Sequence, residues 1–166
     1  MDNKFSKHAA PINLAGLGSY SDKISLSQVV LFFGRLGVTF TKTMIQNYVR
    51  VGLLPPLIEK RYYGKKHIVF LALISSLKDI YSLDEIKSIF GILKNIDDQL
   101  VQELYSTYIT LHHDTLENFK NTINLIEKSV EQPYKNLPDL QSFVSALLIS
   151  TIGTAAKSAV LETCCE

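Results

Sequence analysis

Residues 41–56 read TKTMIQNYVRVGLLPP, residues 59–68 read EKRYYGKKHI, and residues 81–90 read YSLDEIKSIF. In order, they spell a short helix, an abrupt stop, a basic hairpin and a capped helix. Thr41 is placed to cap the first helix, where Met44, Ile45, Tyr48 and Val49 recur at helical spacing as a stripe to be buried. Lys42, Thr43, Gln46, Asn47 and Arg50 then share the opposite face, because side chains three and four apart are neighbours on a helix. Gly52 suits the left-handed position that closes a helix, and Pro55 and Pro56 forbid the helix from resuming. Lys60, Arg61, Lys65 and Lys66 fall within seven residues around Tyr62, Tyr63 and Gly64. Tyr62 and Tyr63 alternate across a strand, one inward and one outward. Ser82-Leu83-Asp84-Glu85 is a capping box ahead of Ile86, Ile89 and Phe90.

These residues resemble the MerR-type winged helix-turn-helix of bacterial transcription regulators. They are still more similar to an uncharacterised bacterial family of short proteins that carries a MerR-like DNA-binding region. The recognition-helix pattern, a TIRYYE-like run and then GLLPP, is met by Thr41, Ile45, Tyr48, Arg50 and residues 52–56. The wing pattern is met by Arg61 and Tyr63, and the later SLEEIK pattern by residues 82–87. The likeness covers about residues 24–92. Gln46 and Asn47 stand where the family has arginine and tyrosine. The 37–40 connection is two residues longer than in classical members, and one residue is missing between Tyr63 and Ser82. These departures favour the family of short proteins over the metal- and drug-sensing members.

The resemblance implies a DNA-binding site made of Thr41, Lys42, Thr43, Gln46, Asn47, Arg50, Arg61, Tyr63, Lys65 and Lys66. In that reading Arg50, Arg61, Lys65 and Lys66 hold phosphates, while Thr43, Gln46 and Asn47 reach base edges. The partner is double-stranded DNA carrying a pseudo-palindromic operator, met by two copies of the chain.

Charge runs in the same direction. The 166 residues are 46% hydrophobic and 20% charged with a net charge of +1, ordinary globular material for one domain and an appendage. Residues 35–68 hold seven Lys/Arg against Glu59 alone, a net of +6, whereas residues 81–131 hold nine Asp/Glu against four lysines, a net of −5. A basic head and an acidic body suit a polyanion-binding module whose other half stays off the polyanion.

The rest of the chain is expected to be helical. Residues 1–23 form an irregular arm that offers Phe5, Ile12 and Leu14 to the core. Ser25 caps a helix from residue 26 to about 36, with Val29, Val30, Phe32 and Phe33 inward, and residues 67–80 form a helix apolar almost all round. Residues 96–166 form a helical dimerisation and effector region. In it Asp97 and Asp98 start a helix whose Leu116, Phe119, Ile123, Ile126 and Val130, spaced 3, 4, 3 and 4, make a dimer seam. Pro138 and Asp139 start a last helix through about residue 161. Its run from residue 143 to 156 is read as too short and too polar to span a membrane, which needs about 20 residues, and so as buried. With no secretory signal visible, the chain is expected in the cytoplasm.

Chemistry beyond binding finds little. Cys164 and Cys165 are adjacent and cannot easily bridge each other, and two thiols alone make a poor metal site. His112 and His113 point to different sides of a helix, and His67 caps rather than catalyses. No phosphate loop, nucleophile elbow or paired carboxylates are present, so no enzyme, cofactor or metal is expected. The expectation is an all-α protein with a small β wing, acting as a sequence-specific DNA-binding transcription regulator. Two alternatives stand beside it: a protein-interaction module that keeps the winged fold without DNA binding, and a small-molecule sensor with its pocket between the C-terminal helices.

Overall fold

Serine, threonine and aspartate caps divide this chain into helices. Ser25 Oγ accepts the Gln28 N–H while the Gln28 side chain accepts the Ser25 N–H at 2.8 Å, starting α1 (Leu26–Arg35). Thr41 Oγ1 accepts the Met44 N–H at 3.1 Å and starts α2 (Lys42–Arg50). The Ser82–Glu85 capping box starts α4 (Leu83–Ile89), and Asp97 Oδ1 accepts the Leu100 N–H at the head of α5 (Asp98–Glu131). With α3 (Lys65–Leu77), α6 (Pro138–Cys164) and 3-10 turns at Leu17–Ser19 and Phe90–Leu93, these are the elements of the computed structural model, which describes residues 11–14, 17–19, 21–93 and 95–164. The fold is all-α. The packing expected of Phe5, and the place of Cys165, lie outside the described residues.

The stops follow the glycines. Gly37 and Gly52 have φ of +77° and +73°. At Gly52 the Leu53 N–H reaches the Tyr48 carbonyl and the Gly52 N–H the Val49 carbonyl, and Gly37 repeats the pattern through Val38 and Phe33. Both helices thus end in the motif that requires a left-handed residue just past the helix.

The β wing expected from the basic hairpin of residues 59–68 is not formed as strands. Among the described residues only two isolated antiparallel bridges occur, Ile24 with Tyr63 and Ile58 with Tyr62. Ile58 and Tyr62 close a tight turn whose Glu59 and Lys60 are both left-handed, at φ of 49° and 62°. The hairpin is short because Lys65 and Lys66 belong to α3. His67 Nδ1 accepts the Gly64 N–H at 3.0 Å, so α3 starts two residues before the apolar run that marks it in the sequence.

The chain forms two compact units, the first ending at Ile109 and the second starting at Thr110. In the first, α3 is the central element, with residues 67–72 and Ile74 all buried. An edge-to-face ladder runs from Phe32 to Phe33 (5.3 Å between ring centroids), on to Phe40 (4.9 Å) and to Tyr48 (6.4 Å), and so fixes α1 against α2. Phe70 meets Phe90 at 5.1 Å, and Tyr105 donates to the Ile12 carbonyl at 2.7 Å. Burial pushes the Tyr105 hydroxyl well above its ordinary pKa.

The second unit holds the rest of α5 and all of α6. Of the expected dimer seam, Ile123 and Val130 are buried within the single chain, while Leu116, Phe119 and Ile126 are half-buried. Against expectation, α6 is not a buried helix. Ser145 is its one buried residue among those described, and Leu140, Phe143, Leu147 and Leu148 are 40–59% exposed. It also outruns the apolar stretch read from the sequence. Thr151, Thr154 and Thr163 donate their hydroxyls to carbonyls one turn back, so these polar residues extend the helix instead of ending it. At 27 residues α6 is long and apolar enough to cross a membrane by length and composition.

Candidate nucleic-acid interface

The outer face of α2 is where most of the expected contact residues meet. Ile45 and Tyr48 are buried and turn one side of the helix inward. Thr41, Lys42, Thr43, Gln46 and Arg50 are exposed on the other side. Asn47 is half-buried, and its Oδ1 accepts a hydrogen bond from Arg50 Nη2 at 2.7 Å. That bond uses one of the two lone pairs on the amide oxygen, and couples the orientation of Asn47 to that of Arg50. Lys42, Thr43 and Gln46 show no such tie among the described residues.

The residues of the second basic stretch go to different places. Arg61 is exposed, with its guanidinium stacked 4.5 Å from the Tyr62 ring centroid. Lys60 is exposed beside it on the left-handed turn. Lys65 is held by Asp22 at 3.1 Å, and Lys66 donates to the Ile96 carbonyl with Asp98 at 4.0 Å. Tyr63 lies inside, 2% exposed, against the His67 ring and bridged to Ile24; its ring has no surface to offer a phosphate. The inward and outward tyrosines expected from the sequence are thus Tyr63 and Tyr62. The sequence reading passed over Lys23, which pairs with Glu59, and Lys87, which overhangs Gly52. Neither lies in a basic cluster, so only the fold brings them beside the turn and the end of α2.

His67 lies 4% exposed below this surface. Burial lowers its pKa, and the Lys66 charge adds to that; the carbonyls of Pro55 and Pro56 and the charge of Asp98 pull the other way. With Nδ1 accepting from Gly64, the neutral ring carries its proton on Nε2. That nitrogen faces the two proline carbonyls but makes no hydrogen bond of good geometry. Among the described residues no three His, Cys, Asp or Glu side chains are grouped to hold a metal ion, and Cys164 is a free, half-buried thiol.

No curated protein and no solved structure matches this chain. A family model described as "Domain of unknown function (DUF1836)" matches residues 22–109. The match covers more than half the sequence and stops at Ile109, where the first compact unit stops. The chain is a member of the DUF1836 family.

Proposed function

We propose that the protein is a sequence-specific DNA-binding transcription regulator of MerR-like type, working in the bacterial cytoplasm as a homodimer. The observation that carries this reading is the outer face of α2. A short helix, started by the Thr41 cap and stopped by the glycine-dependent turn at Gly52, exposes Lys42, Thr43, Gln46 and Arg50 on one face, and the tight turn that follows in the chain exposes Arg61. Lys42, Arg50 and Arg61 take phosphates and set the register; Thr43 and Gln46 meet base edges. Asn47 joins them through its NH2 group and the second lone pair of its oxygen, oriented by Arg50. Lys65 and Lys66 are held by Asp22, Asp98 and the Ile96 carbonyl, and their part is to hold the fold beneath the interface.

Counterion release supplies the test. Each phosphate contact contributes about 0.9 to the log–log dependence of affinity on salt. The Lys42→Ala, Arg50→Ala, Arg61→Ala triple variant should therefore lower that slope by up to about 2.7. A variant with native circular dichroism and an unchanged slope would remove this face from the interface. A second reading, a protein-interaction module, is favoured by Gln46 standing where the resembled family has arginine. Failure of the wild-type chain to bind heparin or any DNA at low salt would select it.

A further inference from the structure

A cleft of about 590 Å³ opens in the first unit between the end of α2, the Leu-Leu-Pro-Pro turn, α3 and α4. Its size lies within the range of small-molecule sites. The composition is uneven in a way that selects a ligand. Val49, Pro55 and Leu57 are half-buried walls, and Phe70 and Phe90 lie 3% exposed beneath them. Three lysines, Lys60, Lys66 and Lys87, stand among these apolar groups, and among the described residues no acidic side chain lines the cleft. The charge of Lys66 is offset by Asp98 and the Ile96 carbonyl. Lys60 and Lys87 make no ion pair among the described residues. Lys87 reaches the Gly52 side of the cleft, since a Cβ on Gly52 would meet its Nζ at 3.8 Å.

The geometry points to this cleft as a binding site for a small amphipathic anion, a carboxylate or phosphate head on a hydrocarbon or aromatic body, with Lys60 and Lys87 holding the head and the Val49–Leu57–Phe90 surface holding the body. Each half of the cleft excludes other occupants. A nucleic-acid backbone would satisfy the lysines but leave the apolar walls in water, where each buried methylene is otherwise worth about 0.8 kcal/mol. The exposed face of α6 from a second copy would cover the walls but bring leucine and phenylalanine, not charge, to the lysines. Only a molecule with both parts pairs both surfaces. The site does not depend on the DNA-binding reading, and its test contains no DNA.

The test uses the full chain and three probes: octanoate, 1-octanol and butyrate, titrated by calorimetry and followed by amide chemical shifts. Octanoate should saturate one site and shift the amides of residues 49–54 and of Leu57. 1-Octanol, which lacks the charge, should bind roughly tenfold more weakly, the usual scale of a charge-assisted hydrogen bond. Butyrate, which lacks the body, should be weaker still. Lys60→Met and Lys87→Met keep the stem and remove the charge. Each should weaken octanoate by roughly tenfold and leave 1-octanol unchanged. Equal affinity for octanoate and 1-octanol overturns the proposal. So does octanoate binding that both lysine variants leave intact, or shifts that fall on α6. Absence of saturable octanoate binding, with or without capture of an acidic amphipathic peptide at the same amides, overturns it as well.

Discussion

His67 has two nitrogens in different circumstances. Nδ1 is tied to the Gly64 N–H, and Nε2 is buried facing backbone carbonyls without a proper hydrogen bond. The ring's lowered pKa has a definite consequence for stability. Below about pH 6.5 the unfolded chain takes up a proton that the folded chain refuses, so stability is complete above that pH and falls as pH drops toward the lower folded value. One proton gives a slope of at most about 1.4 kcal/mol per pH unit. His67→Gln keeps an acceptor for Gly64 and removes the titration. Urea unfolding between pH 6.5 and 5 should show a flatter stability profile for the variant than for the wild type. Coincident slopes would mean that His67 takes no part. The same scale decides how Asn47 and Arg50 are understood: one hydrogen bond at 2.7 Å converts two separate expected contacts into a coupled pair.

At the scale of the element, α4 is seven residues long, too short to persist in water without its ends secured. The reciprocal bonds between Ser82 and Glu85 secure its start, and burial of Ile86 holds its inner face. Ser82→Ala should cost about 1 kcal/mol of global stability, the usual value of an N-cap, measurable by urea denaturation. A shift below about 0.3 kcal/mol would show that packing alone holds α4. Caps and stops of this kind were legible in the sequence because each is a local contest between one side chain and the backbone. Ser25, Thr41, Gly52, Ser82 and Asp97 all act as their positions indicated. The wing was not legible. Lys60 to Lys66 look like one basic stretch, but the bond from Gly64 to His67 draws Lys65 and Lys66 into α3, and Asp22, Asp98 and Ile96 arrive from distant parts of the chain to hold them. The exposure of α6 was hidden for a related reason. Composition shows that a helix is apolar without showing which of its faces finds a cover.

For the molecule as a whole, that uncovered face is the main question of assembly. The seam expected on α5 is largely buried or half-buried within the chain, whereas Leu140, Phe143 and Leu147, spaced three and four apart, line up on the open side of α6. A large apolar side chain is worth roughly 1.5–3 kcal/mol when fully buried, so the proposed dimer should form through α6 more than through α5. Phe143→Asp, at a side chain 59% exposed in the single chain, should yield folded monomers. Ile123→Glu, at a residue buried within the chain, should instead disrupt the second unit. Sedimentation at micromolar concentration distinguishes these outcomes. A wild-type chain that stays monomeric in buffer, and floats with liposomes unless Phe143 is replaced, would assign the face to a membrane. The tight turn at Glu59 and Lys60 has another consequence for the intact protein. A trypsin-like protease takes its substrate as an extended strand, and here its preferred residues, Lys60 and Arg61, sit exposed on a backbone curled the opposite way and pinned by the Ile58–Tyr62 bridge. The two bonds are shielded by curvature instead of depth, and the rate at which they are cut counts how often the turn opens.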